Sequence, residues 1–144
     1  METQQLHRGR LIDHLQLVVK DLSASKRFYS AVLGALGIPL GGEGDDYFWA
    51  DELFVSSKNS AAAQGAVTGR MHFAFQGKSR TAVERFHEAA LAAGGRDNGG
   101  PGERHYHPGY FAAFVIDPDG NNVEAVFHGP AKMSAESVKI TFES

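Results

Sequence analysis

The chain of 144 residues contains two stretches in which a strand pattern is followed by a helix pattern. Residues 11–19 are rich in apolar and β-branched side chains, and the apolar positions that follow recur with helical spacing to about Leu36. Residues 71–76 form the second strand pattern, and its helical pattern ends at the glycine pair 94–95. The pattern therefore predicts two strand–helix pairs in series.

Both predicted helices carry signals for their first and last turns. Asp21 or Ser23 can cap the first helix, and Ser79 or Thr81 can cap the second. The predicted buried faces consist of Leu22, Phe28, Val32 and Leu36 in the first helix and of Val83, Phe86, Ala90 and Leu91 in the second. Gly37 is expected to end the first helix.

The two stretches are also similar residue by residue. When the sequence is shifted by 58 residues, positions 14–37 lie over positions 72–95 without a gap, and nine of these 24 positions are identical. His14 then lies over His72, and the pair Arg27–Phe28 lies over the corresponding pair at 85–86. The chain is therefore expected to contain an internal repeat, with units 11–57 and 70–127 in a single domain spanning 1–144.

Further strands are predicted after each helix. The candidates are Tyr47–Ala50 and Leu53–Ser57 in the first unit, and Tyr110–Ile116 and Asn122–Phe127 in the second. Residues 117–121, Asp-Pro-Asp-Gly-Asn, have the composition of a hairpin turn, and residues 59–68 are a plausible linker. Each unit is assigned the order βαβββ, of which the patterns mark the first strand, the helix and two of the three later strands. This order gives an α+β fold with helices covering curved sheets. The weak alternation after Pro130 leaves open whether the tail adds a strand or assists pairing.

Composition narrows the possible functions. The net charge of −3 disfavours nucleic acid and anionic membranes as partners. No apolar leader or membrane span is visible, so a cytoplasmic location is expected. Because the chain has no cysteine, any metal ion must be held by His, Asp or Glu.

Three residues form a candidate metal site. His14 and His72 occupy matched positions in the first strand of each unit, and Glu124 lies in the last strand of the second unit. A carboxylate on a largely apolar strand is costly to bury unless it is paired or bound to a metal. Two His and one carboxylate suit a divalent ion that keeps open positions for a substrate. The alternative for each His is an ordinary strand residue of the core or surface.

The segment 99–110 is a second candidate site, because it brings together residues that bind and exchange protons. Arg104 could pair with a carboxylate or phosphate of a substrate, and His107 or Tyr110 could donate or accept a proton near the metal. Alternatively, the segment is a solvated loop whose aromatic residues cover the sheet. Trp49, with Tyr47, could form an apolar wall of the substrate site, or it could belong to the core.

Two segments resemble the vicinal-oxygen-chelate superfamily of glyoxalases, bleomycin resistance proteins and extradiol dioxygenases. They are Ile12-Asp13-His14 with Arg27-Phe28-Tyr29, and the run from Asp117 to Glu124. The resemblance covers about residues 10–128 and implies that each βαβββ unit forms half of a cupped mixed β-sheet barrel with the metal in the cup. It also implies a homodimer, in which one subunit supplies the ligand of the first unit and its partner supplies those of the second.

Glyoxalase I enzymes place a fourth ligand on the last strand of the first unit. Glu52 lies one or two residues early for this role, and Phe54 or Ser56 is better placed, which disfavours lactoylglutathione lyase activity. The resemblance instead favours a metalloenzyme of lyase, transferase or dioxygenase type, which chelates a small substrate through two oxygens on Zn, Mn, Fe, Ni or Co. The alternative is a metal-free, ligand-sequestering protein of the bleomycin-resistance type.

Overall fold

The computed structural model describes residues 5–63 and 66–142, in which the predicted helices and strands occur in the predicted order together with additional short strands. The helices are α1 (Leu22–Ala35) and α2 (Arg80–Ala92), and a 3₁₀ turn covers Ala61–Ala63. The strands are β1 (Gln5–Arg8), β2 (Leu15–Val19), β3 (Gly42–Glu43), β4 (Tyr47–Ala50), β5 (Leu53–Ser57), β6 (His72–Gln76), β7 (Arg96–Asp97), β8 (Gly102–Glu103), β9 (Phe111–Ile116), β10 (Asn122–Phe127) and β11 (Val138–Thr141). In the part of the chain that the structure describes, neither helix is long and apolar enough to cross a membrane.

The two units build sheets of the same topology. The order is β2–β5–β4–β3 in the first sheet and β6–β10–β9–β7 in the second, where β8 also pairs with β9. In each sheet the first strand of the unit pairs in parallel with the last strand, and the other pairs are antiparallel. The prediction of an α+β fold with two βαβββ units is confirmed. Closure into a cupped barrel and the division of one domain into units 11–57 and 70–127 stay predictions.

Each sheet packs one face against the helices and leaves the other face for the candidate site. Leu17 and Val19 of β2 and Val123 and Ala125 of β10 are fully buried in a core shared with both helices. Because side chains alternate along a strand, the intervening residues point to the opposite face. Glu124 is one of these, so its position in the fold is set by the pleat of β10.

Local capping chemistry fixes the helices as predicted. The Asp21 side chain accepts a hydrogen bond from the backbone N–H of Ala24, and Ser79 does the same for Ala82. The prediction that Leu91 is buried is wrong, since 42% of it is exposed. The buried residues of α2 are Val83, Phe86 and Ala90, and Leu91 lies about 100° further around the helix than Ala90.

The first strand of the repeat is shorter than predicted. Residues 11–14 lie outside β2, so the prediction that His14 is a strand residue is wrong. The cause is the partner strand. Leu15 pairs with Leu53, the first residue of β5. The residues before Leu53 form a turn, so the residues before Leu15 have no strand to pair with. His14 instead follows a turn closed by the Gly9 N–H, which donates to the Ile12 carbonyl at 3.1 Å.

The tail does form a strand, which pairs with a segment that the hydrophobic pattern did not predict. Strand β11 pairs antiparallel with β1, from Gln5 opposite Thr141 to Arg8 opposite Val138. The ribbon is a sheet separate from those of the two units. It places the start of the described chain beside the entry to β2, where Arg8 is buried.

Candidate active site on the open faces of the two sheets

Glu124 is a buried carboxylate at the centre of the open face of the second sheet. Only 3% of the residue is exposed. One carboxylate oxygen, Oε1, lies 2.9 Å from Nε2 of His72 on the neighbouring strand β6. The other, Oε2, accepts a 2.5 Å hydrogen bond from the Tyr110 hydroxyl. These two contacts offset the cost of removing the carboxylate from water.

Tyr110 serves this carboxylate as a hydrogen-bond donor. Burial and the hydrogen bond to Glu124 raise the pKa of Tyr110 from 10.0 to about 12. The phenol therefore keeps its proton at neutral pH and holds Oε2 of Glu124, while Oε1 faces His72. Tyr110 was predicted as a proton donor or acceptor, and the structure brings it together with two of the three predicted metal ligands.

His72 stands at the open side of this cluster. Its side chain is 54% exposed, in contrast to the buried Glu124. Its ring lies 5.9 Å from the ring of Phe114, which is paired with Glu124 across β9 and β10. Imidazole nitrogen and carboxylate oxygen are donors that divalent transition metals accept. His72 and Glu124 therefore fit two positions around such an ion.

The predicted loop residue His107 lies on the other side of Tyr110. Its Nε2 is 2.9 Å from Nδ1 of His128, its Nδ1 is 2.9 Å from the Pro108 carbonyl, and its ring centroid is 5.2 Å from that of Tyr110. Tyr110 thus contacts both the Glu124 carboxylate and the His107 ring. A proton-transfer role for His107 stays a prediction. No sequence pattern pointed to His128, because its contact with His107 depends on how the end of β10 pairs beside the loop before β9.

Arg104 lies on the same face as Phe114. Its Cζ is 5.3 Å from the Phe114 ring centroid, and its Nη2 donates to the Gly100 carbonyl at 2.8 Å. Phe114 was not among the predicted site residues, although its place in β9 follows from the period of two that also directs Glu124 to this face.

His14 belongs to the open face of the first sheet. The Asp13 carboxylate lies 2.8 Å from Nδ1 of His14, and the Arg8 guanidinium lies 3.3 Å from the same carboxylate oxygen. The hydrogen bond with His14, reinforced by the charge of Arg8, lowers the pKa of Asp13. A carboxylate at Nδ1 favours the tautomer in which Nε2 carries the free lone pair, as in many metal-binding histidines.

A hollow of about 400 Å³ opens beside His14. Its lining consists of His14, Gln16, Asp46, Tyr47, Phe54, Ser56, Ser60 and Ala61. Trp49 stacks on Phe54, with ring centroids 5.7 Å apart, and thereby stiffens one wall without lining the hollow itself. Glu52 is not among the lining residues, whereas Phe54 and Ser56 are.

The structure separates the three predicted metal ligands into two groups. His72 and Glu124 are together, and His14 lies with the hollow of the first sheet. Within residues 5–63 and 66–142 of one chain, no three His, Asp or Glu side chains come close enough to hold one ion. Convergence of the three residues stays a prediction that requires a second copy of the chain.

Comparison with known families agrees with the observed fold. The model of the glyoxalase/bleomycin resistance protein/dioxygenase superfamily matches residues 11–125. The chain belongs to this superfamily. The match spans both His14 and Glu124. Among curated proteins, none matches the chain.

Solved structures of the superfamily have the same fold. A glyoxalase/bleomycin resistance protein from Albidiferax ferrireducens is 29% identical, over 81% of this chain and 97% of that one, with a TM-score of 0.68. A glyoxalase-related enzyme from Fulvimarina pelagi is 24% identical over 91% of this chain and 97% of that one, with a TM-score of 0.67. A family enzyme from Burkholderia phytofirmans is 18% identical, over 79% and 95%, with a TM-score of 0.62. At 24% and 18% identity, the structures from Fulvimarina pelagi and Burkholderia phytofirmans show only that the fold is shared.

Proposed function

We propose that the chain is a glyoxalase-like metalloenzyme that acts on a small substrate through two neighbouring oxygens. His72 and Glu124 of one chain and His14 of a second copy would hold a divalent ion. The observation that carries this proposal is the Glu124 carboxylate, which is 3% exposed and lies between His72 and Tyr110. A buried carboxylate that faces an imidazole is a suitable pair of metal donors.

The chain's own residues would orient both the ligands and the substrate. Tyr110 holds one oxygen of Glu124 and leaves the other toward His72, and Asp13 holds the ring of His14 by its Nδ1. Such outer partners set the tautomer and direction of a ligand. When bound, a divalent ion would act as a Lewis acid that stabilises negative charge developing on a substrate oxygen. The reaction type remains lyase, transferase or dioxygenase.

A homodimer would complete the site. The hollow and His14 lie at the open face of the first sheet, and the His72–Glu124 pair lies at the open face of the second sheet. Because His72 is 54% exposed, one coordination side is open to a group from outside the chain. A second copy that covers both faces would bring His14 to this side and shield the substrate from water.

A complementation experiment tests the arrangement directly. His14→Ala and Glu124→Ala would each remove one ligand from every site of a homodimer. In a mixed dimer, the His14→Ala chain still supplies His72 and Glu124, and the Glu124→Ala chain still supplies His14. One complete site is therefore restored, and mixed dimers should bind about one ion per dimer, while each parent binds metal weakly.

Isothermal titration with Zn²⁺ and with Mn²⁺, combined with light scattering, gives the readout. If mixing the His14→Ala and Glu124→Ala chains restores no metal binding in the dimers, a site shared between chains is contradicted. A wild-type chain that is monomeric and takes up no divalent ion would contradict the metalloenzyme proposal as a whole. Tyr106→Ala is a suitable control, since Tyr106 is 73% exposed and contacts the ring of Tyr110 rather than Glu124.

The second candidate function is metal-free ligand sequestration. It is favoured by the hollow of about 400 Å³ next to the stacked rings of Phe54 and Trp49, because such walls suit a flat apolar ligand. The two functions respond differently to a chelator. Ligand binding that survives EDTA and both ligand substitutions, but is lost in Phe54→Ala, would favour sequestration over metal chemistry.

A further inference from the structure

The guanidinium of Arg104 is held in place by backbone and by an aromatic ring. Its Nη2 donates to the Gly100 carbonyl at 2.8 Å, its Nη1 lies 3.4 Å from the Glu103 carbonyl, and its Cζ is 5.3 Å from the Phe114 ring centroid. The loop passes close beneath it, since a Cβ at Gly102 would lie 3.0 Å from Nη1. This fixed orientation lowers the conformational entropy that a ligand contact would otherwise cost.

Arg104 has a charge but no carboxylate partner in the described part of the chain. No Asp or Glu oxygen there lies within the 4.0 Å limit of an ion pair with it. The neighbouring carboxylate, Glu103, instead binds Arg80 at 2.8 Å. A planar guanidinium that is oriented by carbonyls and carries no counter-ion is well prepared to bind an external oxyanion through two parallel hydrogen bonds.

The position of Arg104 connects it with the proposed metal site. The Phe114 ring contacts the Arg104 guanidinium on one side and the His72 ring, 5.9 Å away, on another. Phe114 also pairs with Glu124 across the two strands. An anion on Arg104 would therefore lie next to the Phe114 ring, which also neighbours His72 and is paired with Glu124.

We infer that Arg104 binds an acidic group of the substrate, so that the substrate class is a small organic acid with a carboxylate or phosphonate in addition to its two chelating oxygens. The assignment of this acid as the substrate rests on the proposed function. The anion contact itself requires Arg104 and Phe114 but no metal, and this difference makes the two proposals separable.

The test uses benzoate and phenylphosphonate as acidic probes and benzamide as the neutral analogue of benzoate. Each is titrated into the full chain after EDTA treatment, while ¹H–¹⁵N spectra follow the backbone and the arginine Nε–Hε signals. Both acids should shift the Arg104 Nε–Hε signal, which is identified by its loss in Arg104→Met, and benzamide should not. The acid that binds more tightly identifies the acid class of the substrate.

Two substitutions and one control make the result specific. Arg104→Met should weaken benzoate binding about tenfold or more, because it removes a charge-assisted pair of hydrogen bonds. Arg104→Lys should lose less, since it retains the charge but not the planar fork. Arg80→Met is the matched control. Arg80 also lies over an aromatic ring, that of Phe111 at 4.7 Å, but its charge is already paired with Glu103.

Each possible failure has a distinct signature. Benzoate binding that is equal in wild type and Arg104→Met, or that is weakened equally by Arg80→Met, would overturn the inference even if the chain binds metal. Binding of benzamide as tight as that of benzoate would overturn it as well. If acids bind through Arg104 but no divalent ion binds to the dimer, the metalloenzyme proposal fails and the anion site stands.

Discussion

The hydroxyl of Tyr29 donates a 2.6 Å hydrogen bond to Oδ2 of Asp117, across 88 residues of sequence. Tyr29 lies on α1 of the first unit, and Asp117 begins the turn between β9 and β10 of the second. The same carboxylate accepts from the backbone N–H groups of Asp119 and Asn121 and from the Asn121 side chain. This buried network therefore ties the first helix to the turn between the last two strands of the second sheet.

Tyr29→Phe is expected to destabilise the fold. The substitution removes the hydroxyl donor and leaves the buried Asp117 carboxylate with one hydrogen bond fewer, which costs about 1–3 kcal/mol. Urea unfolding of wild type and variant measures the difference in the free energy of unfolding. Tyr47→Phe is the matched control, because Tyr47 is 41% exposed and should change stability by less than about 0.5 kcal/mol. Equal losses in the two variants would contradict a specific role for the Tyr29–Asp117 bond.

The Tyr29–Asp117 pair should also make the stability of the fold depend on pH in the alkaline range. Burial and the negative charge of Asp117 raise the pKa of Tyr29 well above 10.0, and Asp119 adds to this effect. A side chain whose pKa is higher in the folded state than in the unfolded state stabilises the fold. The stabilisation is complete when the pH is below the unfolded-state pKa, and it is lost as the pH rises toward the folded-state pKa. The stability difference between wild type and Tyr29→Phe should therefore shrink above about pH 10. A constant difference between about pH 8 and about pH 11 would argue against this linkage.

If the proposed metal site is correct, Tyr110→Phe should weaken metal binding while leaving the three proposed ligands in place. The variant frees Oε2 of Glu124, so the carboxylate is less well oriented toward His72. Loss of such an outer partner typically lowers metal affinity by about 10–100-fold. Competition with a chromophoric chelator measures the affinity, and Tyr106→Phe, with its ring 4.9 Å from that of Tyr110, is the control. An unchanged affinity in Tyr110→Phe would show that the hydroxyl does not position Glu124.

The elements of the fold could be predicted from the sequence because local chemistry specifies them. Asp21 and Ser79 cap the two helices, and the bounds of β4, β5 and β10 agree with the alternating patterns. The hairpin turn was predictable for the same reason, since Gly120 adopts a φ of +90° that other residues avoid. The internal repeat then indicated that both units share one topology.

Several features of the candidate site depended on contacts between distant segments. His14 lies outside β2 because β5 begins only at Leu53, which a pattern along residues 11–19 does not record. The loop histidine His107 pairs with His128 because the chain folds back at this point. Leu91 is exposed because the packing partners of α2 decide which face of this helix is covered.

The sequence by itself determined the two βαβββ units, the caps and turns that delimit them, and the residue types available as metal donors. These follow from side-chain periodicity and from hydrogen bonds between near neighbours. Only the tertiary structure decided that Tyr110 donates to Glu124, that Arg104 lies on Phe114, and that His14 is separate from the other two donors in one chain. The physical reason is that strand register and loop return fix these distances, and both depend on pairing between segments far apart in sequence.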